Sequence, residues 1–181
     1  MKIIKPFEQF INEELNILRG YTDKETYDEL DKLSPNEAFR VSYQNDFIPG
    51  IKRAIERGAD VNAKCSGGEI ALTYLTMKGK LDIVKYLVEN GADVNVKNNG
   101  GMTALNYASC YGKLDIVKYL VENGADVNVK NNGGMTALMW ASEYGDLDIV
   151  QYLIENGANV NILDDLIGML LYLHHAINIP I

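Results

Sequence analysis

Apolar residues recur at helical spacing through most of the chain, and a glycine closes each run. In one stretch Ile116, Val117, Leu120 and Val121 follow an i, i+1, i+4, i+5 pattern that stops at Gly124. This spacing places the apolar side chains on one face of an α-helix, and glycine readily adopts the left-handed backbone that ends a helix. An equivalent run occurs 33 residues later. The pattern therefore predicts amphipathic helices at a regular interval.

These helices belong to a segment that the chain contains twice. Residues 80–105 read KLDIVKYLVENGADVNVKNNGGMTAL, and residues 113–138 repeat that sequence without a change. The shorter motif GADVN or GANVN keeps the spacing of 33 over four copies, which begin at Gly58, Gly91, Gly124 and Gly157. A fixed period of this size indicates one supersecondary unit that is stacked on copies of itself.

The chain contains three regular repeats, at 65–97, 98–130 and 131–163. Each starts with a tip rich in Asn, Ser or Gly, the residues that tight turns favour. Thr103 and Thr136 then precede an Ala-Leu pair, where their hydroxyls can cap the first helix of the repeat. The second helix is expected to start at Leu114 or Leu147. Each repeat is thus predicted to run tip, helix, turn, helix, glycine.

An irregular repeat at 32–64 precedes the regular ones. Ser34 and Glu37 form a capping-box pattern, and Pro35 suits the first helical position, where its missing N–H costs nothing. These signals predict a helix from Pro35 to about Gln44. A second helix is expected to begin at Asp46 and to end at the next periodic glycine.

Both ends of the chain depart from the repeat. Residues 1–31 predict an amphipathic helix over Pro6–Arg19 and, after a capping box at Thr22 and Glu25, a short helix to about Lys32. We interpret 1–31 as an N-terminal helical cap or extension, and a separate interaction helix is the alternative. At the other end, 164–176 begins a further repeat without a second helix and predicts an unusually apolar capping helix. A tail follows at 177–181.

The regular repeats resemble the ankyrin repeat. That family's pattern is an Asx-led turn, a Gly-x-Thr-Pro-Leu-His-x-Ala segment, a Gly, a Val-x-x-Leu-Leu helix and a Gly-Ala-x-Val-Asn end. In the middle repeat the matching residues are Asn98, Gly101, Thr103, Leu105, Ala108, Gly112, Val117, Leu120, Gly124, Ala125, Val127 and Asn128. The resemblance covers about 32–176. It implies an all-α ankyrin-repeat solenoid of stacked helix-turn-helix units joined by short β-hairpin-like tips.

Two departures from the family pattern affect the expected contacts. Asn106 and Met139 stand where the family has histidine, so the Thr–His hydrogen bond that ties adjacent repeats in the family is not expected. Ile70 replaces the capping threonine in the repeat at 65–97. Because the loss of a cap typically costs about 1 kcal/mol, we expect this repeat to be the least stable of the regular three.

Composition and charge narrow the choice of partner and compartment. The chain has 181 residues, a net charge of −8 and a pI near 4.8, which argues against nucleic acid because phosphate binding requires clustered Lys and Arg. No apolar run approaches the length of a membrane span or resembles a secretory signal. Cys65 and Cys110 are expected to be free thiols, as in a reducing compartment. We therefore expect an intracellular, by default cytoplasmic, protein.

The sequence offers no set of residues that predicts catalysis. His174 and His175 are adjacent on a predicted helix, so they point about 100° apart and do not readily share one metal ion. Neither cysteine has a His or Lys at a spacing that would activate a thiolate. The Gly-Gly pairs of the tips lack the lysine of a phosphate-binding loop. We predict no enzymatic activity, no cofactor and no metal site.

The remaining candidates are surface residues. In the architecture that the resemblance implies, the tips and first helices line a concave face, and Tyr, Trp and Met are enriched at binding hot spots and adaptable interfaces. Tyr74, Tyr107 and Trp140 lie nearby and either pack between repeats or join this face. The residues predicted to bind a partner are Glu69, Met77, Lys78, Met102, Cys110, Tyr111, Met135, Glu143 and Tyr144, with Ser66, Asn99 and Asn132 at the tips.

The sequence thus favours a non-catalytic protein–protein interaction module, expected as a monomer, that binds an unidentified partner protein on the concave face. Two alternatives stay open at this point. One is a structural protein that self-associates through its apolar C-terminal end. The other is a ligand-binding or enzymatic site at a junction between repeats.

Overall fold

The computed structural model describes residues 24–65 and 67–161. The chain divides into an N-terminal body, Met1–Ala63, and a C-terminal body, Lys64–Ile181. The predicted helix at Pro6–Arg19, the cap residue Thr22, the tip residue Ser66 and the partial repeat at 164–176 with its tail at 177–181 lie outside the described residues. The proposed division into an N-terminal extension and a repeat domain stays a prediction.

The described part of the N-terminal body consists of three helices. They are α1 (Lys24–Lys32), α2 (Pro35–Gln44) and α3 (Ile48–Glu56). The predicted capping box is confirmed, since Ser34 Oγ accepts from the Glu37 N–H and the Glu37 carboxylate accepts from the Ser34 N–H. The buried faces of α2 and α3 meet in a core that includes Phe39, Tyr43 and Ile51.

The start of α3 differs from the expectation. The helix begins at Ile48 with Phe47 as its N-cap residue, and no side chain caps it. Asp46 instead lies in the preceding turn with a φ of 57°, a left-handed conformation that Asp tolerates better than most residues. The helix therefore begins two residues later than the sequence predicts.

Arginine side chains from α3 and its C-cap hold α1 in place. The Arg53 guanidinium forms a bidentate ion pair with Asp31. Arg57 donates to the carbonyl oxygens of Leu30, Asp31 and Leu33 at 2.8–3.1 Å. The last carbonyls of a helix have no partner within the helix, so Arg57 supplies donors that the end of α1 lacks.

The described part of the C-terminal body is a stack of three helix-turn-helix repeats. Their first helices, which we call the inner helices, are α4 (Ala71–Met77), α6 (Ala104–Cys110) and α8 (Ala137–Glu143). The second helices, here the outer helices, are α5 (Leu81–Glu89), α7 (Leu114–Glu122) and α9 (Leu147–Glu155). The predicted starts at Leu114 and Leu147 are confirmed. Neighbouring inner helices pack closely, α4 on α6 and α6 on α8, and the outer helices lie behind them.

Apolar side chains at the predicted spacing fill the space between the helix layers. On α7, Ile116, Val117 and Leu120 are fully buried. Ala108 on α6 is also fully buried, and its small side chain lets the neighbouring inner helices approach. Each outer helix ends before a periodic glycine, and Gly124 has a φ of 88°, which side chains other than glycine rarely adopt.

The cap residues of the inner helices follow the sequence prediction. Thr103 accepts from the Asn106 N–H at 3.3 Å, and Thr136 accepts from the Met139 N–H at 3.3 Å. Ile70, in contrast, occupies the N-cap of α4 without a side-chain hydrogen bond. The missing cap is confirmed, while the lower stability expected of the repeat at 65–97 stays a prediction.

Side-chain amides fix the register between successive repeats. Asn95 Nδ2 donates to the Gly124 carbonyl at 3.0 Å, and Asn95 Oδ1 accepts from the Asp126 N–H at 2.8 Å. Asn128 forms the equivalent pair with the next repeat, at 3.1 and 2.7 Å. Because one amide holds both a donor and an acceptor of the following repeat, a shift by one residue would break both bonds.

Candidate functional site

The candidate site is the surface made by the hairpin tips and the inner helices of the C-terminal body, which we call the inner face. All nine residues predicted to bind a partner lie on these elements or at their ends. The exposed members are Lys78, Tyr111, Glu143 and Tyr144, and the half-buried members are Glu69, Met77, Met102, Cys110 and Met135. The structure therefore brings these side chains to one part of the stack.

Two aromatic pairs project from the inner helices. The rings of Tyr107 and Tyr111 stack with centroids 6.3 Å apart and an interplanar angle of 16°. One repeat later, Trp140 and Tyr144 stack at 6.3 Å and 15°. Their i, i+4 spacing puts both rings on one helix face. Tyr107 and Trp140 are half-buried and support the exposed rings of Tyr111 and Tyr144.

The first regular repeat replaces the outer ring of this arrangement with a cation. Lys78 stands at the position equivalent to Tyr111, and its ammonium lies 5.4 Å from the centroid of the Tyr74 ring. The ammonium is thus within the range in which a cation is attracted to an aromatic face. The inner face consequently changes in character from a Tyr–Lys pair to two aromatic pairs along the stack.

Asparagine shapes two of the three tips. Asn98 Oδ1 accepts from the N–H groups of Gly100 and Met102 at 2.9 and 3.0 Å, and Asn131 does the same in the next tip. Cys65 stands at this position in the first tip, and its backbone N–H donates to the Glu69 carbonyl at 3.0 Å. Among the described residues of this tip, the Cys65 side chain makes no hydrogen bond like that of Asn98 or Asn131.

Neighbouring tips are hydrogen-bonded to one another. Asn99 Nδ2 donates to the Gly67 carbonyl at 3.3 Å, and Asn132 Nδ2 donates to the Asn99 carbonyl at 2.9 Å. Gly68 lies so close to the Asn99 side chain that a Cβ at this position would clash with it. The tips thus form a continuous edge of the inner face.

The junctions between repeats differ because of one aromatic substitution. Asn98 Nδ2 donates to the Tyr107 hydroxyl at 3.1 Å. In the next repeat Trp140 replaces that tyrosine, and an indole N–H can only donate. Asn131 Nδ2 therefore finds a different acceptor, the sulfur of Met102 in the preceding tip, at 3.2 Å. At the first junction Glu69 occupies the position of Met102, while the Asn98 amide bonds to Tyr107.

A small cleft opens at this first junction. It has a volume of about 190 Å³. Its walls come from two tips and two inner helices, and the lining residues are Gly67, Gly68, Glu69, Thr73, Tyr74, Met77, Asn98, Asn99, Gly100 and Tyr107. The sequence pattern identifies Glu69 and Met77 as surface candidates, but not that Tyr74 and Tyr107 line the same cleft. This arrangement depends on how one repeat packs on the next.

Comparison with known families agrees with this architecture. A family model described as ankyrin repeats, three copies, matches residues 39–131, just over half of the chain. The chain belongs to the ankyrin-repeat family. A second ankyrin-repeat model, described as many copies, matches residues 120–171. No match is found among curated proteins.

Family membership supplies a general role. Ankyrin repeats generally act as protein–protein interaction modules, and ankyrin-repeat proteins are generally non-enzymatic.

Asn106 stands where the family has a histidine, so the family's Thr–His hydrogen bond between adjacent repeats is not expected here. The structure shows a replacement, since Asn106 Nδ2 makes a long, 3.5 Å hydrogen bond to the carbonyl of Val129 at the entrance to the next tip.

The surroundings of Cys110 on the inner face make its thiol a poor nucleophile. Burial raises the pKa of the Cys110 thiol above its usual value, although the Tyr144 hydroxyl bonds to the sulfur and favours the thiolate. A raised pKa keeps the thiol protonated, whereas catalytic cysteines require a lowered one. Cys65 and Cys110 are both free thiols, as predicted.

Two other classes of site receive no support from the described residues. Within 24–65 and 67–161, no three His, Cys, Asp or Glu side chains are grouped so that they could hold a metal ion. None of the helices in these ranges has the length and apolar character needed to cross a membrane. His174 and His175 fall outside these ranges.

Proposed function

We propose that this ankyrin-repeat chain is a non-catalytic protein-binding module that holds its partner on the inner face. The observation that carries this proposal is the exposure of two stacked tyrosines. Tyr111 is 49% exposed and Tyr144 is 59% exposed, although each ring lies against a second aromatic ring. Aromatic residues such as tyrosine are enriched at protein–protein interfaces relative to the rest of the surface.

The stacked geometry suits these rings to binding. Each exposed tyrosine is held by the half-buried ring four residues earlier on the same helix. A side chain that is already ordered loses less conformational entropy when a partner packs on it. Tyrosine also combines a large apolar surface with a hydroxyl, which is why it is enriched at hot spots. The two pairs therefore provide preformed anchors one repeat apart.

Discrimination between partners is expected from the inner helices rather than the tips. The tips at 98–102 and 131–135 are identical in sequence, so they present the same groups twice. The ends of the inner helices differ, with exposed Lys78 on the first repeat and exposed Glu143 on the third. Charges at a polar rim select partners mainly through orientation and association rate. A partner of standard size would bury about 800 Å² of this surface.

The test is an affinity capture from a lysate of cells that express the chain. We compare the wild type with the variant Tyr111→Ala, Glu143→Ala and Tyr144→Ala. A matched control carries three alanines at exposed positions on the outer helix α9, namely Asp148, Gln151 and Glu155. Circular dichroism first establishes that all three proteins have the same helical content.

The proposal predicts a protein that the wild type and the outer-helix control recover and the inner-face variant does not. A photoreactive amino acid at position 111 should then crosslink to that protein, whereas the same group at position 148 should not. Equal recovery by all three proteins would refute binding on the inner face. Loss with the outer-helix control alone would move the site to the opposite side of the repeats.

A further inference from the structure

We infer that the cleft at the first junction of the C-terminal body binds an arginine side chain of the partner protein. This inference rests on the proposed function and specifies one contact of that interface. The cleft lies on the inner face, between the tip of the repeat at 65–97 and the tip of the repeat at 98–130. Its size, its carboxylate and its aromatic walls each limit what can enter.

Size argues for a single side chain. The cleft of about 190 Å³ has the room of about six water molecules at roughly 30 Å³ each. Cofactors and other small-molecule ligands usually occupy about 300–1,000 Å³. A long, unbranched side chain that projects from a partner fits the smaller space, and its own backbone would stay outside.

Charge argues for a cation. Within the described residues, Glu69 makes no side-chain hydrogen bond or ion pair, and it is half-buried at the wall of the cleft. At the next junction the equivalent residue, Met102, is bonded by the amide of Asn131. The corresponding amide at the first junction, that of Asn98, bonds to the Tyr107 hydroxyl instead. The Glu69 carboxylate is therefore available to a donor from outside.

Aromatic walls argue for a guanidinium rather than an ammonium. Tyr74 and Tyr107 both line the cleft, with the Met77 thioether beside them. A guanidinium is planar, stacks on aromatic rings and can donate two parallel hydrogen bonds to one carboxylate. It is also less strongly hydrated than an ammonium, so that its transfer into a half-enclosed cleft costs less. An arginine uses all three features of the site together.

Lys78 places a positive charge near this site and opposes an incoming cation. Its ammonium lies 5.4 Å from the centroid of the Tyr74 ring, but Lys78 does not itself line the cleft. Its side chain is exposed, so solvent screens the repulsion. Removal of this charge should strengthen arginine binding modestly, by about twofold at low salt.

The experiment uses the full chain, labelled with ¹⁵N, and the probe N-acetyl-arginine methylamide. Amide signals of Gly67, Gly68 and Gly100 report on the cleft. The matched probe is the citrulline analogue, which has the same shape but carries a neutral urea group. The matched variants are Glu69→Gln, which neutralises the cleft carboxylate, and Glu155→Gln, which neutralises an exposed carboxylate on the outer helix α9.

We expect the arginine probe to shift the three glycine signals and the citrulline probe to leave them unchanged. Glu69→Gln should weaken binding about tenfold, the loss expected for a charge-assisted hydrogen bond, and Lys78→Gln should tighten it. Glu155→Gln should have no effect. Three outcomes would each overturn the inference. They are equal shifts with the citrulline probe, equal or tighter binding of the corresponding lysine derivative, and an unchanged affinity of Glu69→Gln for the arginine probe.

The outcome is separable from that of the proposed function. If the inner-face variant loses its partner while the arginine probe does not bind, only the arginine contact is wrong. If the probe binds at the cleft but the inner-face variant recovers the same proteins as the wild type, the cleft is a cation site and the proposed interface is wrong.

Discussion

The two threonine caps allow a comparison that the chain itself controls. Thr103 and Thr136 lie in the same local sequence, GGMTAL, and both are buried. They differ in the residue three positions later. Thr103 and Asn106 form a reciprocal capping box, in which Thr103 Oγ1 also donates to Asn106 Oδ1 at 3.0 Å. Thr136 is followed by Met139, which can only offer its backbone N–H.

Substitution of each threonine by valine removes the hydroxyl and keeps the shape. Thr136→Val should cost about 1 kcal/mol of unfolding free energy, the usual value of one N-cap. Thr103→Val loses the same cap. It also removes the hydroxyl that donates to the buried oxygen of the Asn106 side chain. An unsatisfied buried polar group costs about 1–3 kcal/mol. Because Asn106 Oδ1 still accepts from the Thr103 N–H at 3.0 Å, we take the lower value and expect a total of about 2 kcal/mol.

Urea unfolding followed by circular dichroism measures this difference. With an m-value of about 2 kcal/mol/M, the midpoint of Thr103→Val should lie about 0.5 M below that of Thr136→Val. Asn106→Met gives the middle repeat the methionine that the third repeat has at the equivalent position. This variant and the double variant Asn106→Met with Thr103→Val complete a double-mutant cycle. In that background the valine substitution should cost only about 1 kcal/mol. Equal costs for both threonines, or no coupling to Asn106, would refute the reasoning.

Three further predictions concern a turn, an ion pair and a thiol. Gly124→Ala should lower the unfolding free energy by about 1–2 kcal/mol, because alanine is strained at the φ of 88° that Gly124 adopts. Gly133 has neither a positive φ nor a severe contact, so Gly133→Ala should leave the stability measured by urea unfolding nearly unchanged. The hydrogen bond from Arg53 lowers the pKa of Asp31 in the folded state. The ion pair therefore stabilises the fold fully above the unfolded-state pKa of 3.8, and this stabilisation is lost as the pH falls through the folded-state pKa. Thermal unfolding between pH 5 and 2 should therefore show a smaller loss in Asp31→Asn than in the wild type, and an equal loss would contradict this. In a Cys65→Ser background, iodoacetamide should label Cys110 with a midpoint above pH 9.0, because burial raises its pKa, and a midpoint below 9.0 would contradict that cause.

Local chemistry explains which parts of the fold are predictable from sequence. The start of α7 at Leu114, the capping box at Ser34 and the left-handed Gly124 are each determined by a few neighbouring residues, and all three are confirmed. The sequence predicts the start of α3 two residues too early, because Asp46 can lie at a helix start or adopt a positive φ and its neighbours do not choose between them.

Contacts between repeats are harder to predict because they depend on the offset of the stack. The ammonium of Lys85 lies 5.6 Å from the Tyr119 ring, and that of Lys118 lies 5.7 Å from the Tyr152 ring. Each pair is 34 residues apart, one more than the period, so the repeat length alone does not reveal it. The cleft beside Glu69 has the same origin, since its walls come from the tips and inner helices of two successive repeats.

The duplication separates the residues that hold the stack from those that can change its binding chemistry. The bonds of Asn95 and Asn128 to their next repeats agree within 0.1 Å, so the duplicated segment builds the same backbone twice. Several differences between repeats lie on the inner face, as in Cys110 against Glu143 and Glu69 against Met102. A substitution at these positions alters an acceptor, a charge or a ring without touching the amide bonds that set the register. At the proposed interface, binding specificity can therefore change at little cost to the fold.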